Sequence, residues 1–285
     1  MKRWPRHSLL LICVVLVAAF VASACGGGEE KPAAKQKISI ATFDQNPLAV
    51  EQLRLGRADA VLADFPVAAN DARLSEGKLE VVGTQFEAAP YGIGLRKDST
   101  ELNAAINKAL QAIMNSGEYD KILADWGLEA GSMSPTAGAA ASPTAAGVPE
   151  LSDGTLQVGS DISYAPIEFY EEGTQNATGL DIDLANALAR ELGVKVEFVN
   201  TGFDGIIGAL QANRFDVLMS AMTITAARQK EIDYIPYFTA GTGILVPAGN
   251  PKNIQTLADL CGKNVAVQLG TIQVDQLNAQ NEQCS

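Results

Sequence analysis

Two blocks of alternating short apolar segments and amphipathic segments make up most of this 285-residue chain. One block covers residues 37–126 and the other covers residues 155–285. Regular alternation of strands with helices predicts an α/β fold with largely parallel sheets. Residues 127–154, between the blocks, are rich in Ala, Gly, Ser, Thr and Pro and lack hydrophobic periodicity, so we interpret them as a linker.

The first 24 residues resemble a bacterial lipoprotein signal. Basic residues open the segment, and the apolar run over residues 9–21 is short for a membrane span. Small residues then precede Cys25, which we expect to carry the lipid, and residues 25–36 would form a tether. An uncleaved N-terminal anchor would give the same topology.

The net negative charge of the chain limits the kinds of partner that it can bind. Outside residues 1–24 the chain has 18 basic and 33 acidic residues, so we expect no binding to nucleic acid or to anionic lipid. The single histidine, His7, lies in the signal, so imidazole chemistry is unavailable afterwards. Since the sequence also shows no metal-ligand cluster and no Gly-rich phosphate loop, we expect no metal and no cofactor.

The positions of the cysteines in the sequence indicate different roles for them. Cys13 lies in the apolar run and Cys25 is the expected lipid site, which leaves Cys261 and Cys284. Two cysteines in an exported domain usually pair, and a disulfide across such a loop contributes roughly 3 kcal/mol. Two free thiols are the alternative.

Long motifs in both blocks resemble one known family. The second block contains TLQVGSDISYAPIEFYEEG, FDGIIGALQANRFDVLMSAMTITAAR and VAVQLGTIQ. These are similar to the first half of the family 3 bacterial solute-binding proteins, the amino-acid-binding components of ABC importers. The first block contains FDQNPLAVEQLRLGRADAVLADFPVAA, APYGIGLRKDSTELNAAINKAL and GEYDKILADWG, which are similar to the second half.

The order of these halves is the reverse of the family's order. The resemblance therefore implies a circular permutation, with the usual chain ends joined through the linker. Chain ends of compact domains often lie close together at the surface, which makes such a rearrangement physically reasonable. A fragment of a tandem gene is the alternative.

The resemblance implies a two-lobed periplasmic-binding-protein clamshell of type II with two hinge strands, GTGILVPAG and APYGIGLRK. We expect the following division: signal 1–24, tether 25–36, second part of lobe 2 at 37–88, C-terminal part of lobe 1 at 89–128, linker 129–151, main part of lobe 1 at 152–248, and first part of lobe 2 at 249–285.

One set of expected ligand contacts lies in SAMTITAAR. Arg228 matches the family's carboxylate-binding arginine, and a guanidinium can donate two parallel hydrogen bonds to a carboxylate. The resemblance implies that Thr223 binds the same carboxylate and that the carbonyls of Ser220 and Ala221 accept from the ligand ammonium. Taken alone, Arg228 would be interpreted as a solvated helix residue.

A second set comes from the opposite lobe. Asp64 matches the family's ammonium-binding aspartate and follows a strand, although a helix N-cap is the alternative interpretation. Thr271 would donate to the carboxylate from a helix N-terminus. Ile272 replaces the Ser or Thr that is frequent there, and Gln268 and Gln273 flank the loop.

A third set would recognise the ligand side chain. Tyr164 and Phe203 correspond to the family's aromatic pair, with ordinary core packing as the alternative. Asp161 would reach the far end of the side chain and favour a cationic or amide-bearing ligand. Glu168 and Asp181 are expected to be structural.

The predicted function is a monomeric, lipid-anchored, extracytoplasmic binding protein that passes a polar or basic amino acid to an ABC permease. It is not expected to be an enzyme, because no nucleophile–base pair is present. A cyclic-acid dehydratase on the same fold, a ligand-sensing module and a non-binding copy are the alternatives.

Overall fold

The computed structural model describes residues 36–135 and 144–284. Strands and helices alternate along the described chain. In order, the elements are β1 (Ser39–Phe43), α1 (Asn46–Arg54), β2 (Ala60–Asp64), α2 (Phe65–Leu74), β3 (Leu79–Leu95), α3 (Thr100–Ser116), α4 (Glu118–Trp126), β4 (Thr155–Ser160), β5 (Phe169–Tyr170), β6 (Ala177–Thr178), α5 (Leu180–Leu192), β7 (Lys195–Asn200), α6 (Ile206–Gln211), β8 (Val217–Leu218), α7 (Arg228–Glu231), β9 (Asp233–Pro247), β10 (Asn264–Gln268) and α8 (Ile272–Gln283).

Among the described residues, eight strands form one mixed sheet in the order β1-β10-β2-β9-β3-β8-β4-β7. Pairing is parallel at each end of this order, where β10 lies between β1 and β2 and β4 lies between β8 and β7. The central strands β9 and β3 are antiparallel to their neighbours. The predicted α/β class is confirmed.

The two longest strands connect the two ends of the sheet. β9 pairs with β2 through its C-terminal part, and β3 pairs with β8 through its C-terminal end. The register between β3 and β9 shifts at three places, one of them between Tyr91 and Gly92. The predicted hinge strands lie in β9 and β3, so the two-lobed fold with two hinge strands is confirmed.

We name the two ends of the sheet by their central parallel strands. The β10 half consists of β1, β10, β2 and the adjoining part of β9. The β4 half consists of β8, β4, β7 and the adjoining part of β3. The largest apolar core packs α3 and α5 against β4 in the β4 half, and separate apolar clusters surround β10 and β2.

Three predicted elements differ from the observed ones. The segments KLEVVG and YGIGLRK, predicted as separate strands, belong to one strand, β3. The long amphipathic segment after residue 99 divides into α3 and α4 because Gly117 adopts a left-handed backbone with φ of 81°. The segment NIQTLADLCG contains one 3-10 turn, Leu257–Leu260, rather than the predicted helix.

The two ends of the described chain meet in the β10 half. Strand β1 lies parallel to β10, with Ser39 opposite Asn264. The side chain of Asn281 on α8 accepts from the backbone N–H of Ile38 and donates to its carbonyl. The predicted disulfide between Cys261 and Cys284 is confirmed, with 5.5 Å between the two Cα atoms.

The expected linker has ordered ends. Glu129–Gly131 and Pro149–Leu151 form 3-10 turns, and Val148 and Leu151 are buried in the large core. The expected signal at residues 1–24, the lipid site Cys25 and linker residues 136–143 lie outside the described residues. No helix in the described ranges has both the length and the apolar character to cross a lipid bilayer.

Candidate functional site

A narrow cavity lies where the two halves of the sheet face each other. It contains the loops that follow β2, β4, β8 and β10, and the carboxyl ends of strands are the usual place for ligands in such sheets. Eleven of the twelve predicted ligand-binding residues line it, together with one that was not predicted to do so. The lining consists of Asp64, Asp161, Tyr164, Glu168, Phe203, Ala221, Thr223, Arg228, Gln268, Thr271, Ile272 and Gln273.

Arg228 is held in place by its own half and by the opposite one. Its Nη1 donates to the carbonyl of Thr223 at 2.7 Å, and its Nη2 donates to the carbonyl of Gly270 at 2.9 Å. The guanidinium carbon lies 5.6 Å from the centroid of the Phe203 ring, within cation–π range. A guanidinium has five N–H donors, so three are left after these two bonds.

Asp64 is buried at the end of β2, on the other side of the cavity. Its carboxylate accepts from Nε2 of Gln273 at 2.9 Å and from the hydroxyl of Tyr164 at 3.1 Å. The side chain makes no N-capping bond to α2, so the alternative role is not realised. Burial raises the pKa of Asp64 to about 6, although these hydrogen bonds act in the opposite direction.

Asp161 follows β4, and its carboxylate accepts hydrogen bonds from residues of both halves. Its carboxylate accepts from the hydroxyl of Ser163 at 2.9 Å and from the N–H of Phe203 at 3.3 Å. From the β10 half, Nε2 of Gln268 donates to it at 2.8 Å. Burial raises its pKa.

The two predicted aromatic residues have different surroundings. Tyr164 is buried, and its hydroxyl both accepts from the backbone N–H of Asp64 at 3.0 Å and donates to the carboxylate of Asp64. Phe203 is half-buried and lies against Arg228. Both line the cavity, so neither is confined to core packing.

The loop between β10 and α8 closes one side of the cavity. Thr271 immediately precedes α8, and its hydroxyl donates to the carbonyl of Gln268 at 2.8 Å. Gly270 has φ of 78°, and a Cβ there would lie 2.9 Å from the Cα of Asp204 in the β4 half. A glycine is therefore required for this close approach of the two halves.

Residues after β8 form the opposite wall. Thr223 pairs with Tyr91 of β3, and the N–H of Gly92 donates to the carbonyl of Met222 at 2.9 Å. Ala221 has φ of 46°, an uncommon conformation for a residue with a Cβ. Ser220 is buried and is the predicted residue that does not line the cavity.

Glu168 lines the cavity, although the sequence predicted a structural role for it. Its Oε1 accepts from the hydroxyl of Ser220 at 2.8 Å. Asp181 lies behind the lining, where its carboxylate accepts from the N–H of Ala221 at 2.9 Å. The motif APIEFY could have indicated Glu168, because a carboxylate in an apolar run is a costly choice without a buried partner.

The cavity therefore places one guanidinium opposite a carboxylate, with two further carboxyl groups and two aromatic rings between the halves. The described residues contain no group of three or more His, Cys, Asp or Glu side chains arranged to hold a metal ion. The ionised groups and hydrogen-bond donors suit a small zwitterion.

Comparison with known proteins bears on this site. Residues 29–129 and 156–283 match the family described as bacterial extracellular solute-binding proteins, family 3. The chain belongs to that family.

Relatives of this family 3 protein have names that specify ligands. A probable histidine-binding protein of Campylobacter jejuni is 34% identical over 125 residues, which are 44% of this chain and 48% of the relative. The arginine-binding extracellular protein ArtP of Bacillus subtilis is 38% identical over 122 residues, which are 42% of this chain and 46% of the relative. The chain thus spans about half the length of the curated relatives it matches.

Among solved structures, an ancestral arginine-binding protein bound to arginine is 36% identical to this family 3 protein. The match covers 46% of this chain and 57% of that one, with a TM-score of 0.40.

Proposed function

We propose that this protein binds an α-amino acid with a cationic or amide-bearing side chain between the two halves of its sheet. One observation carries the proposal: Arg228 and the buried Asp64 line the same narrow cavity from opposite halves. The main-chain groups of an amino acid carry one negative and one positive charge, which these two side chains complement.

Arg228 would bind the ligand carboxylate. The carbonyls of Thr223 and Gly270 hold its guanidinium plane in position and leave three N–H donors for the ligand. Thr223 and Thr271 lie beside it in the lining and would add hydroxyl or backbone donors. Because these contacts come from both halves, a bound carboxylate would stabilise the closed arrangement.

Asp64 would bind the ligand ammonium, together with the carbonyls of Ser220 and Ala221. Asp64 accepts hydrogen bonds from Gln273 and Tyr164. A carboxylate has about four lone-pair positions, so an ammonium can be added to these contacts.

The side chain would lie between Tyr164 and Phe203 and extend towards Asp161. Aromatic faces accept aliphatic stems and cationic groups, while the buried carboxyl of Asp161 favours an N–H donor at the far end. Gln268 and Ile272 would complete the pocket. The names of the relatives, which specify histidine and arginine, support a basic ligand.

Delivery to an ABC permease is the cellular role that we propose, from a monomer anchored through Cys25 on the outer side of the cell membrane. The proposed lobe 2 comprises residues 37–88 and 249–285, and lobe 1 comprises 89–128 and 152–248. The meeting of Ile38 with Asn281 supports a circularly permuted order.

Isothermal titration calorimetry of residues 26–285 against the common amino acids tests the proposal. We expect tight binding of at least one basic or amide-bearing amino acid. Arg228→Ala should weaken it by roughly 100-fold or more, because removal of one partner of a charged contact costs about 2–5 kcal/mol.

Arg214→Ala is the matched control. Arg214 is an exposed arginine in the same half that does not line the cavity, and its replacement should leave the affinity unchanged. If the unaltered chain binds no amino acid, or if the two arginine variants bind equally, the proposed site is wrong.

A further inference from the structure

Two buried carboxyl groups belong to one wall of the cavity, with Glu168 in its lining and Asp181 behind it. Glu168 and Asp181 each have a relative exposure of 1%. Glu168 follows the loop that carries Asp161 and Tyr164, whereas Asp181 lies in the first turn of α5. No ion pair in the described ranges involves either side chain.

Glu168 connects two parts of the wall through Ser220. The Ser220 hydroxyl donates to Oε1 of Glu168 at 2.8 Å and accepts from the backbone N–H of Asp161 at 3.0 Å. This relay holds the Asp161 loop against the residues after β8. Because Ser220 and Glu168 are both buried, loss of either would leave buried polar groups without partners.

Asp181 holds the next residue of the same wall. Its carboxylate accepts from the N–H of Ala221 at 2.9 Å and from the hydroxyl of Tyr237 at 2.7 and 2.8 Å. The left-handed backbone of Ala221 costs about 1 kcal/mol or more, so it needs such a contact to persist. Ser220 and Ala221 are thus each fixed by one of the two buried acids.

Two ionised carboxylates would repel each other in this buried place. Burial and the neighbouring Asp181 raise the pKa of Glu168 well above its usual value, and burial raises the pKa of Asp181 to about 7. No N–H or hydroxyl group among the described residues donates to Oε2 of Glu168, which leaves that oxygen free to carry a proton.

The other ionisable groups around the pair are also acidic. Asp161 and Asp64 raise the pKa of Glu168 by their charge, and Tyr164 and Tyr237 are buried phenols whose pKa values are raised well above their usual value. These neighbours favour one retained proton on the pair.

We propose that Glu168 and Asp181 are positioning residues of the binding site: they hold one proton between them and together orient Ser220, Ala221 and the Asp161 loop for the ligand. The inference rests on the proposed function, because its effect is measured on ligand affinity. Neither acid needs to touch the ligand. A protonated Glu168 still accepts from Ser220 through Oε1 while its Oε2 carries the proton, so a second negative charge is not buried beside Asp181.

Three variants test the role by calorimetry, with the amino acid that the unaltered chain binds best as the probe. Glu168→Ala and Asp181→Ala should each weaken binding by about tenfold or more, since Ser220 or Ala221 then loses the hydrogen bond that holds it in place. Glu168→Gln should recover most of that loss, because the amide presents one acceptor and one donor in the places of Oε1 and the protonated Oε2.

Asp71→Asn is the matched control. Asp71 is a half-buried acid in α2 whose pKa burial raises to about 6, but it does not line the cavity. Its replacement should change stability without changing affinity. If an alanine variant does not fold, Ser220→Ala replaces it, because this change removes the relay without removing a carboxyl; we expect a loss of affinity there too.

Carbon-13 NMR of the side chains of Glu168 and Asp181 measures directly whether each carboxyl group is protonated. At about pH 7.5 the pair should still hold one proton, whereas isolated carboxyls would both be ionised. Two ionised carboxylates would contradict the inference, and so would an alanine variant that folds and binds as tightly as the unaltered chain. If the unaltered chain binds no amino acid, the proposed function fails, while the NMR result still decides the protonation of the pair.

Discussion

The two walls of the cavity are held in different ways. On the β4 side, Arg228 donates to Thr223 within its own half and to Gly270 of the β10 half, and the backbone N–H of Asp161 donates to the hydroxyl of Ser220. On the β10 side, Gln268 donates across the cavity to Asp161, and Asp64 accepts across it from Tyr164. Both walls take part in the bonds that cross the cavity, but the β4 wall is also supported from behind by the buried acids Glu168 and Asp181.

Because of this difference, we expect the two walls to contribute to ligand binding in different ways. A wall supported from within presents its binding groups in fixed positions before the ligand arrives, which reduces the ordering cost of binding. A wall whose polar groups bond across the cavity must exchange some of those bonds for bonds to the ligand. We therefore expect changes in the β10 half to alter closure and stability as well as affinity.

The largest effect is expected for Asp64→Asn in the β10 wall. At about pH 7.5 the affinity for the amino acid should fall roughly 100-fold or more, because the ligand ammonium loses its buried counter-charge. In the unaltered chain Asp64 has a pKa of about 6 and must be ionised to pair with the ammonium. Affinity should therefore fall by about tenfold per pH unit below pH 6.

Calorimetric titrations at a series of pH values check both statements. The loss of affinity below pH 6 should be much smaller in Asp64→Asn, whose side chain does not titrate. It should persist in Asp71→Asn, since that acid has a similar pKa but lies outside the cavity lining. A pH profile unchanged by the Asp64 substitution would contradict the assignment.

The disulfide gives the next largest effect, again in the β10 half. Replacing both Cys261 and Cys284 by Ser should lower the free energy of unfolding by about 3 kcal/mol, because a bridge across 23 residues restricts the unfolded chain. The replacement also places a polar hydroxyl at position 284, where the cysteine side chain is buried. Urea unfolding with and without a reducing agent measures it.

Reduction should destabilise the unaltered chain and leave the double Ser variant unchanged. If reduction has no effect on the unaltered chain, the bridge does not stabilise the β10 half.

A smaller effect is expected for Arg228→Lys in the β4 wall. A lysine keeps the positive charge but cannot donate two parallel bonds or hold both carbonyls, so affinity should fall by about 2 kcal/mol, or roughly 30-fold. The melting temperature should change little, because Thr223 and Ala221 are held by other contacts. Calorimetry and thermal unfolding on the same sample separate the two effects; equal affinity would exclude a paired contact to the carboxylate.

The smallest effect is expected when the chain order is rearranged. The β10 half is assembled from both ends of the described chain, which meet at Ile38 and Asn281. A chain in which residues 152–284 precede residues 37–128 should therefore bind the same amino acid with an affinity within about threefold, since no sheet pairing is cut. Failure of this chain to fold would contradict the permuted arrangement.

Much of the fold followed from local pattern. The alternation of strands and helices predicted most of the described elements near their observed positions, because apolar periodicity is a property of neighbouring residues. The predictions were wrong where tertiary contacts decide: two segments predicted as separate strands form one strand, β3, since β9 pairs with it along its length. The turn at Leu257–Leu260 is too short for the helix predicted there.

The candidate site could also be predicted from local pattern only in part. Arg228, Asp64 and Asp161 were predicted from motifs, and the fold brings them to one cavity. Glu168 was assigned a structural role, because a single carboxyl in an apolar run indicates a buried partner but does not show that it borders a cavity. The bonds from Gln268 to Asp161 and from Tyr164 to Asp64 join residues 107 and 100 positions apart, and no local signal specifies them.

By itself, the sequence determined the class of fold, the family, the pairing of Cys261 with Cys284 and the residue types of the cavity, since these depend on local pattern and composition. Only the tertiary structure decided which half holds each group, which hydrogen bonds cross the cavity and how two buried acids fix Ser220 and Ala221. The physical reason is that burial and hydrogen-bond partners are properties of three-dimensional surroundings, and the pKa of a carboxyl depends on both.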